Sequence, residues 1–345
     1  MIYLIIFTPL FIFSLFATLT KNVSKYSDTI GLFFIVILSF IASIRYRVGT
    51  DFSSYESIWN GIRPLGEHQT YTYLEPGFVY FLSFLKLFSN SSVLFFSTMS
   101  ILTLYILYKG IKKINNINIY VAIALYFMIF YMPYLFNGMR QALSMSIFIY
   151  SLTYIINGNF KKVLFLSLIA TSFHVTGFLI LISYFISKIK INLVYYFLLG
   201  VLISFLFYYF GVLGYLVDLL TPGKFTTYAN SWGKTSFFQL VVRTMIAIFF
   251  IFSATKVIKN KFFVKTVMIY LIGYFIYISL ADANMLATRF NMFFRVLEII
   301  LFSILLYQSK YLFNRIIFFI FTFIMSGSIF YLNISNPDNI YESIF

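Results

Sequence analysis

Six arginines stand at or near the ends of apolar segments, where they could act on an anionic substrate carried by a membrane. A guanidinium group presents a fixed fork of donors that matches two phosphate oxygens at once. Lysine is sparse at these positions, although it can snorkel to lipid phosphates equally well. The pattern favours a site for a lipid-borne phosphate or diphosphate, with snorkelling as the alternative for each arginine taken alone. The six are Arg45, Arg47, Arg140, Arg243, Arg289 and Arg295.

Four of them are the candidate diphosphate ligands. Arg243 lies inside SFFQLVVRTMIAIFFIFSA, and a charge within the bilayer is costly and usually marks function. Arg295 is set apart, because Glu298 follows three residues later on the same helix face and can form a structural pair with it. The four candidates are Arg47, Arg140, Arg243 and Arg289.

Asp51 and His174 are the candidate bases for an acceptor hydroxyl. Asp51 lies in the polar segment SIRYRVGTDFSSYESIWNG and could instead pair with Arg47 and hold it in place. His174 stands alone in a long uncharged stretch, where a lone histidine is more commonly a hydrogen-bonded structural group. Both assignments stay open. The chain has no cysteine and only two histidines, so we expect no thiolate chemistry, no metal site and no cofactor.

Four further residues are candidates for contacting sugar rings, because they lie in predicted polar loops. The aromatic members could equally be anchors at the membrane interface. For the carboxylate in YLEPGF, a role at the start of a helix is favoured over sugar contact, because Pro76 follows it and an acid suits the helix dipole there. These candidates are Tyr55, Trp59, Glu75 and Tyr228.

The elements that position these residues are membrane-spanning helices. Of the 345 residues, 61% are hydrophobic and only 10% are charged. Uncharged runs recur along the chain, and a spanning helix needs about 20 apolar residues. We therefore predict an all-α, polytopic integral membrane protein with about 10 to 12 transmembrane helices in a single domain, 1–345. Its N-terminus, MIYLIIF, is expected to be a retained first helix, since it shows neither the basic n-region nor the small-residue cleavage site of a signal peptide.

Lysine clusters give the predicted orientation, because positive residues remain on the cytoplasmic side. The net charge of +15 comes largely from such short loops, so no nucleic-acid partner is expected. Loops at 45–76 and 221–236 hold acids, aromatics and arginines, and are predicted to face outward. The predicted cytoplasmic clusters are Lys21/Lys25, Lys109/Lys112/Lys113, Lys161/Lys162, Lys188/Lys190, Lys256/Lys259/Lys261/Lys265 and Lys310 with Arg315.

One segment does not fit a simple alternation of crossings. The run between Lys162 and Lys188 is too short for two full spans, yet both lysines are predicted to be cytoplasmic. Residues 163–187 either form a re-entrant pair of short helices that turns near His174–Gly177, or cross once with the mismatch absorbed in 191–220. We favour the re-entrant pair, which would place His174 in a cavity.

The chain resembles the EpsG/Wzy group of bacterial polysaccharide polymerases from about residue 45 to 300. The resemblance is carried by RYRVGTDFSSYESIW, YLEPGF, NGMRQALSMSIFIYSLTYIINGNFKKVLFLSLIATSFHVTGFLILI and ATRFNMFFR, in that order and spacing. Its most specific parts are the R-x-x-x-G-x-D segment that begins at Arg45 and the MRQAL…FH block, in which Arg140 and His174 stand at the family's positions.

This resemblance implies a metal-independent, GT-C-like glycosyltransferase at the outer face of the bacterial cytoplasmic membrane. It implies substrates that are oligosaccharide repeat units on undecaprenyl diphosphate, which are joined into O-antigen, capsule or exopolysaccharide. Membrane lipid is an expected partner, and a chain-length regulator is the one protein partner considered. The alternatives are a flippase or transporter of the lipid-linked oligosaccharide, for which no internal repeat is found, and an O-antigen ligase, which would use the same arginine chemistry.

Overall fold

The computed structural model describes residues 2–20, 27–68, 71, 74–220 and 223–344, and over these residues the protein is helical. The only β-type pairing among them is an isolated bridge between Arg45 and Ser343. Lys21, Lys25 and residues 221–222 of the predicted second outer loop lie outside the described residues.

The helices are numbered in chain order. The first nine are α1 (Ile2–Thr20), α2 (Ser27–Ser43), α3 (Phe52–Gly61), α4 (Pro76–Lys86), α5 (Ser92–Lys112), α6 (Ile119–Tyr126), α7 (Met139–Asn157), α8 (Phe160–Phe173) and α9 (Leu179–Ile186). The others are α10 (Leu193–Tyr209), α11 (Val212–Leu220), α12 (Lys224–Trp232), α13 (Phe237–Phe252), α14 (Lys261–Ser279), α15 (Asn284–Arg295), α16 (Glu298–Gln308) and α17 (Leu312–Ser335).

Seven helical stretches of the described chain are long and apolar enough to cross a membrane, or eight if the bent pair α10–α11 is one span. This confirms the prediction of an all-α polytopic membrane protein. The number of long spans is below the expected 10 to 12, because α2 and the Val175–Ile186 segment are shorter than the spanning length and α8 ends early, at Phe173.

The chain forms two compact units, each described by itself. The larger unit comprises Met1–Ile182 and Phe302–Phe345, and the smaller unit comprises Ser183–Leu301. In the larger unit α5 packs against α2 and α7, and α7 packs against α8. In the smaller unit α14 packs against α10 and α15.

The centre of the larger unit is the segment that continues α6. Phe127–Asn137 is π-helical, and Gly138 N–H donates to the Pro133 carbonyl in a hydrogen bond of 3.2 Å that spans five residues. Apart from Pro133 and Asn137 its residues are buried, which fits an uncharged stretch surrounded by other helices. The carbonyls at its end need hydrogen-bond donors from outside the segment, and Arg45, at the start of the neighbouring loop, provides them.

The helical structure is interrupted at His174, as the prediction of two short helices requires; we call this interruption the chain break. His174 has extended backbone angles between α8 and a 3₁₀ turn at Val175–Phe178. After this break the chain turns back toward α8, because the Ser167 hydroxyl donates to the Gly177 carbonyl at 3.2 Å. This arrangement supports the re-entrant alternative over a single straight crossing.

Candidate functional site

Arg140 and Glu75 form an ion pair in the larger unit, although 64 residues separate them in the chain. Arg140 Nη1 donates to Glu75 Oε2, and the two side chains are 24% and 20% exposed. The guanidinium also lies over the Phe78 ring, 5.5 Å from its centroid. The pair is thus half-buried, so that solvent and a ligand can still reach it while the surrounding protein strengthens its electrostatics.

Close helix packing brings this pair together. A side chain at Gly77, in the first turn of α4, would collide with Ser172 near the end of α8. This close approach places Glu75 beside the chain break, where its Oε1 accepts a hydrogen bond from Val175 N–H at 3.2 Å. Glu75 occupies the N-cap position of α4 but makes no side-chain capping bond. The predicted N-cap position is thus present, with Pro76 after it, but the carboxylate is directed at Arg140 and at the backbone of the turn.

His174 lies at that same turn and is held by Thr176. Its Nδ1 accepts the backbone N–H of Thr176 at 3.3 Å and lies 2.8 Å from the Thr176 hydroxyl. A nitrogen that accepts a backbone N–H carries no proton, so this hydrogen-bond pattern assigns the proton of the neutral ring to Nε2. The imidazole is partly exposed, one residue from the Val175 N–H that Glu75 binds.

Arg45, which is not one of the four candidate diphosphate ligands, has a structural role. Its guanidinium is buried between the rings of Phe96 and Phe136, 4.8 and 4.7 Å from their centroids. It donates to the carbonyls of Leu135 and Phe136 at 3.2 Å, which lie at the end of the π-helical segment. A cation there satisfies free carbonyls and the negative end of the helix dipole. Burial lowers the pKa of Arg45 to about 10, so it remains charged at neutral pH.

The loop after Arg45 is fixed by both the C-terminal tail and Gly49. Gly49 N–H donates to the Asp338 carbonyl at 2.7 Å, and Tyr46 N–H donates to the Glu342 carbonyl at 2.9 Å. Gly49 has a φ of +97°, and a side chain there would overlap the Asn137 amide. The glycine thus lets the loop lie directly on Asn137, three residues before Arg140.

Asp51 follows this glycine and is exposed. Its backbone N–H lies 3.5 Å from Asn137 Oδ1, and its carboxylate accepts the Thr50 hydroxyl at 3.3 Å. Tyr55, one turn along α3, interacts with both Asp51 and Arg140. Burial raises the pKa of the Tyr55 phenol, and the Arg140 guanidinium offsets part of that rise. The structure therefore gathers Asp51, Tyr55, Glu75, Arg140 and His174 into one cluster, which we call the Arg140 cluster.

Arg47 is near this cluster in sequence and differs from Arg45 in exposure. It is exposed, with its guanidinium 5.1 Å from the Tyr46 ring centroid, and it has a φ of +55°. It forms no ion pair with a carboxylate of the described residues, so the alternative in which Asp51 pairs with Arg47 is not what the structure contains.

Trp59 does not offer a face to a sugar in this structure. Its ring is fully buried, stacks on Phe95 at 5.8 Å and lies under the Lys86 ammonium at 4.6 Å. Its indole N–H donates to the Asn90 carbonyl at 2.9 Å. Tyr55 is also buried, between Phe78 and Phe95. Both aromatic residues anchor α3 on the helices beneath it, which corrects their interpretation as stacking platforms.

In the smaller unit the structure brings two other predicted residues together. Arg289, on α15, donates from Nη1 to the Tyr228 hydroxyl on α12 at 3.1 Å, and its guanidinium is 5.7 Å from that ring. Arg289 is exposed and Tyr228 is partly buried. Tyr228 packs against the apolar cluster that contains Leu286, which positions its hydroxyl toward the arginine. One cation and one ring therefore form an exposed polar pair.

Arg243 belongs to a different, interior group of the smaller unit. It lies within electrostatic range of Arg295, Glu298 and Tyr270. The predicted Arg295–Glu298 pair is present and bidentate, with distances of 2.9 and 3.2 Å, and the Tyr270 hydroxyl donates to Glu298 at 3.2 Å. Arg295 and Glu298 are only 3% and 2% exposed. This group has the features of a structural core network, and Arg243 is the member without a carboxylate within 4.0 Å among the described residues.

Over the described residues, no three His, Asp or Glu side chains come close enough to hold a metal ion.

The sequence did not reveal the Glu75–Arg140 pair. The available signal was a lone glutamate before a proline and a lone arginine at a helix start, two opposite charges that each lie between apolar segments.

Comparison with known proteins identifies the chain at the level of a family. No curated protein and no solved structure matches it. The sequence model of the EpsG family matches residues 28–345, which include every residue of the Arg140 cluster and the Arg289–Tyr228 pair. The chain therefore belongs to the EpsG family, and this membership supports a general role of the polysaccharide-polymerase type.

Proposed function

We propose that the protein is a membrane glycosyltransferase that polymerises oligosaccharide repeat units linked to undecaprenyl diphosphate. The growing glycan leaves its diphosphate carrier and passes to the non-reducing end of an incoming lipid-linked unit. The reaction takes place at the outer face of the bacterial cytoplasmic membrane and yields O-antigen, capsule or exopolysaccharide. The observation that carries this proposal is the Arg140 cluster, in which a guanidinium and a carboxylate lie beside an imidazole at a helix interruption, with the carboxylate of Asp51 near the same guanidinium.

The transfer exchanges one bond for another. The bond that breaks joins the anomeric carbon of the donor glycan to a phosphate oxygen, and its electron pair stays on the diphosphate. The bond that forms joins that carbon to the acceptor hydroxyl oxygen, whose proton passes to a base. Because charge develops on the leaving diphosphate, a preoriented guanidinium at that oxygen lowers the barrier. Arg140 has this role, and Glu75 and Phe78 hold its fork in place.

Asp51 is the base in this proposal, and His174 is a hydrogen-bond donor. The Nδ1 of His174 accepts Thr176 N–H, so the neutral ring carries its proton on Nε2, where it can donate a hydrogen bond but not accept a proton. Asp51 is an exposed carboxylate in the same cluster, and an ionised carboxylate can accept the hydroxyl proton.

The reaction has two diphosphates, one on the donor and one on the acceptor. Among the described residues, each unit has candidate arginines that are at least partly exposed: Arg140 and Arg47 in the larger unit, and Arg289, beside Tyr228, in the smaller. We assign the leaving diphosphate to Arg140 and the acceptor's diphosphate to Arg289. Arg243 is left out of the ligand set, because it lies beside the buried Arg295–Glu298 pair.

The test is the glycan pattern of a strain that lacks this gene. The strain should carry single repeat units, and the wild-type gene should restore a ladder of polymer lengths. Arg140→Lys should fail to restore it although the protein is inserted at normal levels, because a point charge cannot reproduce the fork. Arg63→Lys, at an exposed position of the predicted outer loop 45–76, is the control and should behave as wild type.

Two outcomes would contradict the proposal. A ladder of normal length from Arg140→Lys would remove Arg140 from the diphosphate site. Complete loss of surface repeat units in the null strain, with single units retained inside the cell, would indicate a flippase instead of a polymerase.

A further inference from the structure

A cavity of about 710 Å³ lies between α5, α7 and α8, away from the Arg140 cluster. Helix α7 reaches both places: its Tyr150 lines the cavity, whereas its Arg140 belongs to the cluster. Tyr150 is ten positions after Arg140, which corresponds to about 15 Å of helix. The proposed polymerase mechanism uses none of the cavity's residues.

One part of this cavity is cationic. Lys109, Lys112 and Lys113, at and just after the last turn of α5, all line it. Lys112 is paired with Asp28 at 2.7 Å, whereas Lys109 and Lys113 have no carboxylate within 4.0 Å among the described residues. Two positive charges of the cavity are therefore not neutralised by an acid, which favours an anionic ligand.

Aromatic groups hold these two lysines in place. The Lys113 ammonium lies 3.3 Å from the centroid of the Tyr150 ring and donates to the Tyr154 hydroxyl at 2.8 Å. The Lys109 ammonium lies 5.2 Å from the ring of Tyr105. Rings and a hydroxyl leave the remaining donors of each ammonium available, while they reduce the freedom of its long side chain.

The rest of the cavity is apolar, and part of its wall belongs to a helix with exposed apolar side chains. On α8, Phe165 and Leu168 are 64% and 63% exposed, as expected for a helix that faces lipid. A free inorganic anion gains no stabilisation from apolar side chains, whereas an acyl chain does, because contact with them removes its apolar surface from water. The apolar lining residues are Ile106, Ile147, Leu166 and Ile169.

We propose that this cavity binds a phospholipid with an anionic headgroup. Its phosphate lies between Lys109 and Lys113, and one acyl chain lies along Ile147, Leu166 and Ile169. Basic pockets between membrane helices bind such headgroups on the side where lysines cluster. The site is separate from the proposed polymerase reaction and does not depend on it.

The test uses the full-length protein in nanodiscs of phosphatidylcholine with increasing fractions of phosphatidylglycerol, and measures the Tm. Phosphatidylglycerol should raise the Tm of the wild type at low fractions. The double variant Lys109→Ala/Lys113→Ala should need about a thirtyfold higher fraction for the same half-maximal rise. The control Lys256→Ala/Lys259→Ala removes two predicted cytoplasmic lysines elsewhere and should respond as wild type.

The variant Leu166→Trp tests whether the lipid response depends on the cavity itself or only on the charge of the lysines. It fills the apolar part and keeps all three lysines, so it should weaken the response to phosphatidylglycerol while the Tm in pure phosphatidylcholine stays close to that of the wild type. The proposal is overturned if the lysine double variant or Leu166→Trp responds as wild type. It is also overturned if inorganic phosphate alone, in phosphatidylcholine nanodiscs, gives the full rise in Tm.

Discussion

The two units hold their candidate arginines in different ways. In the larger unit Arg140 is half-buried and paired with Glu75, close to Asp51, Tyr55 and His174. In the smaller unit Arg289 is exposed and donates a hydrogen bond to the Tyr228 hydroxyl, while Glu298, a carboxylate of that unit, is buried with Arg295. A charged partner orients a guanidinium more strongly than a neutral one, and burial strengthens the effect.

This difference suggests a division of work. Under the proposed function, the larger unit provides the preorganised groups for bond breaking, and the smaller unit provides an exposed arginine that binds a charged ligand without chemistry. Variants in each unit can test whether bond breaking depends on the larger unit and ligand binding on the smaller.

Asp51→Asn should have the largest effect, since it removes the proposed base of the larger unit. The polymerisation rate of the purified protein with lipid-linked repeat units should fall about 10²- to 10⁴-fold. His174→Asn should fall less, because its side-chain oxygen can still accept Thr176 N–H and only the donor at Nε2 is lost. If His174→Asn were the more damaging change, the roles of donor and base would have to be exchanged.

Glu298→Gln should affect stability more than any other change in the smaller unit. It leaves Arg295 as a buried charge without its bidentate partner, and breaking a buried pair costs about 3–5 kcal/mol. The readout is the loss of Tm in detergent. The double variant Arg295→Met/Glu298→Leu is the control and should recover most of that loss, because no buried charge remains. A Tm for Glu298→Gln equal to that of the wild type would contradict a structural role for the network.

Glu75→Gln should lower the polymerisation rate about tenfold, as expected when one charge-assisted hydrogen bond that orients Arg140 is replaced by a weaker neutral one. The amide still fits the space and can still accept Val175 N–H, so the chain break should be retained. An unchanged rate would show that Arg140 needs no anionic partner, and the comparison with Arg289 would lose its basis.

Tyr228→Phe should have the smallest effect, about two- to fivefold in the KM for the acceptor, because one neutral hydrogen bond to an exposed arginine is lost. Arg289→Ala should raise that KM further with little change in kcat. A large fall in kcat for either variant would place chemistry in the smaller unit and overturn the division of work.

Several features of the fold were predictable because they depend on local composition. Long uncharged runs must form helices in a membrane, since only helices and closed barrels satisfy the backbone there. The Arg295–Glu298 pair was predictable because its residues are three positions apart on one turn. The chain break at His174 was predictable because two lysine pairs were too close for two crossings.

For the candidate site, the sequence predicted which residues take part better than it predicted the contacts between them. Asp51, Arg140 and His174 were identified by residue type and by resemblance, and they lie in one cluster. The Glu75–Arg140 pair was not predicted, because it depends on the packing of α4 against α8 at Gly77. Trp59 was misinterpreted for a similar reason, since a tryptophan in a polar loop can be either an exposed platform or a buried anchor.

By itself, the sequence determined that this protein is helical and resides in a membrane, because hydropathy over about 20 residues is a local property. It also determined which residue types were available for phosphate recognition. Only the tertiary structure decided which arginines are buried as structural groups and which remain accessible. Arg45 and Arg140 are equally charged in the sequence, yet one is buried against helix carbonyls and the other meets a carboxylate at a half-open chain break. That difference depends on contacts between residues more than 60 positions apart, which no local pattern records.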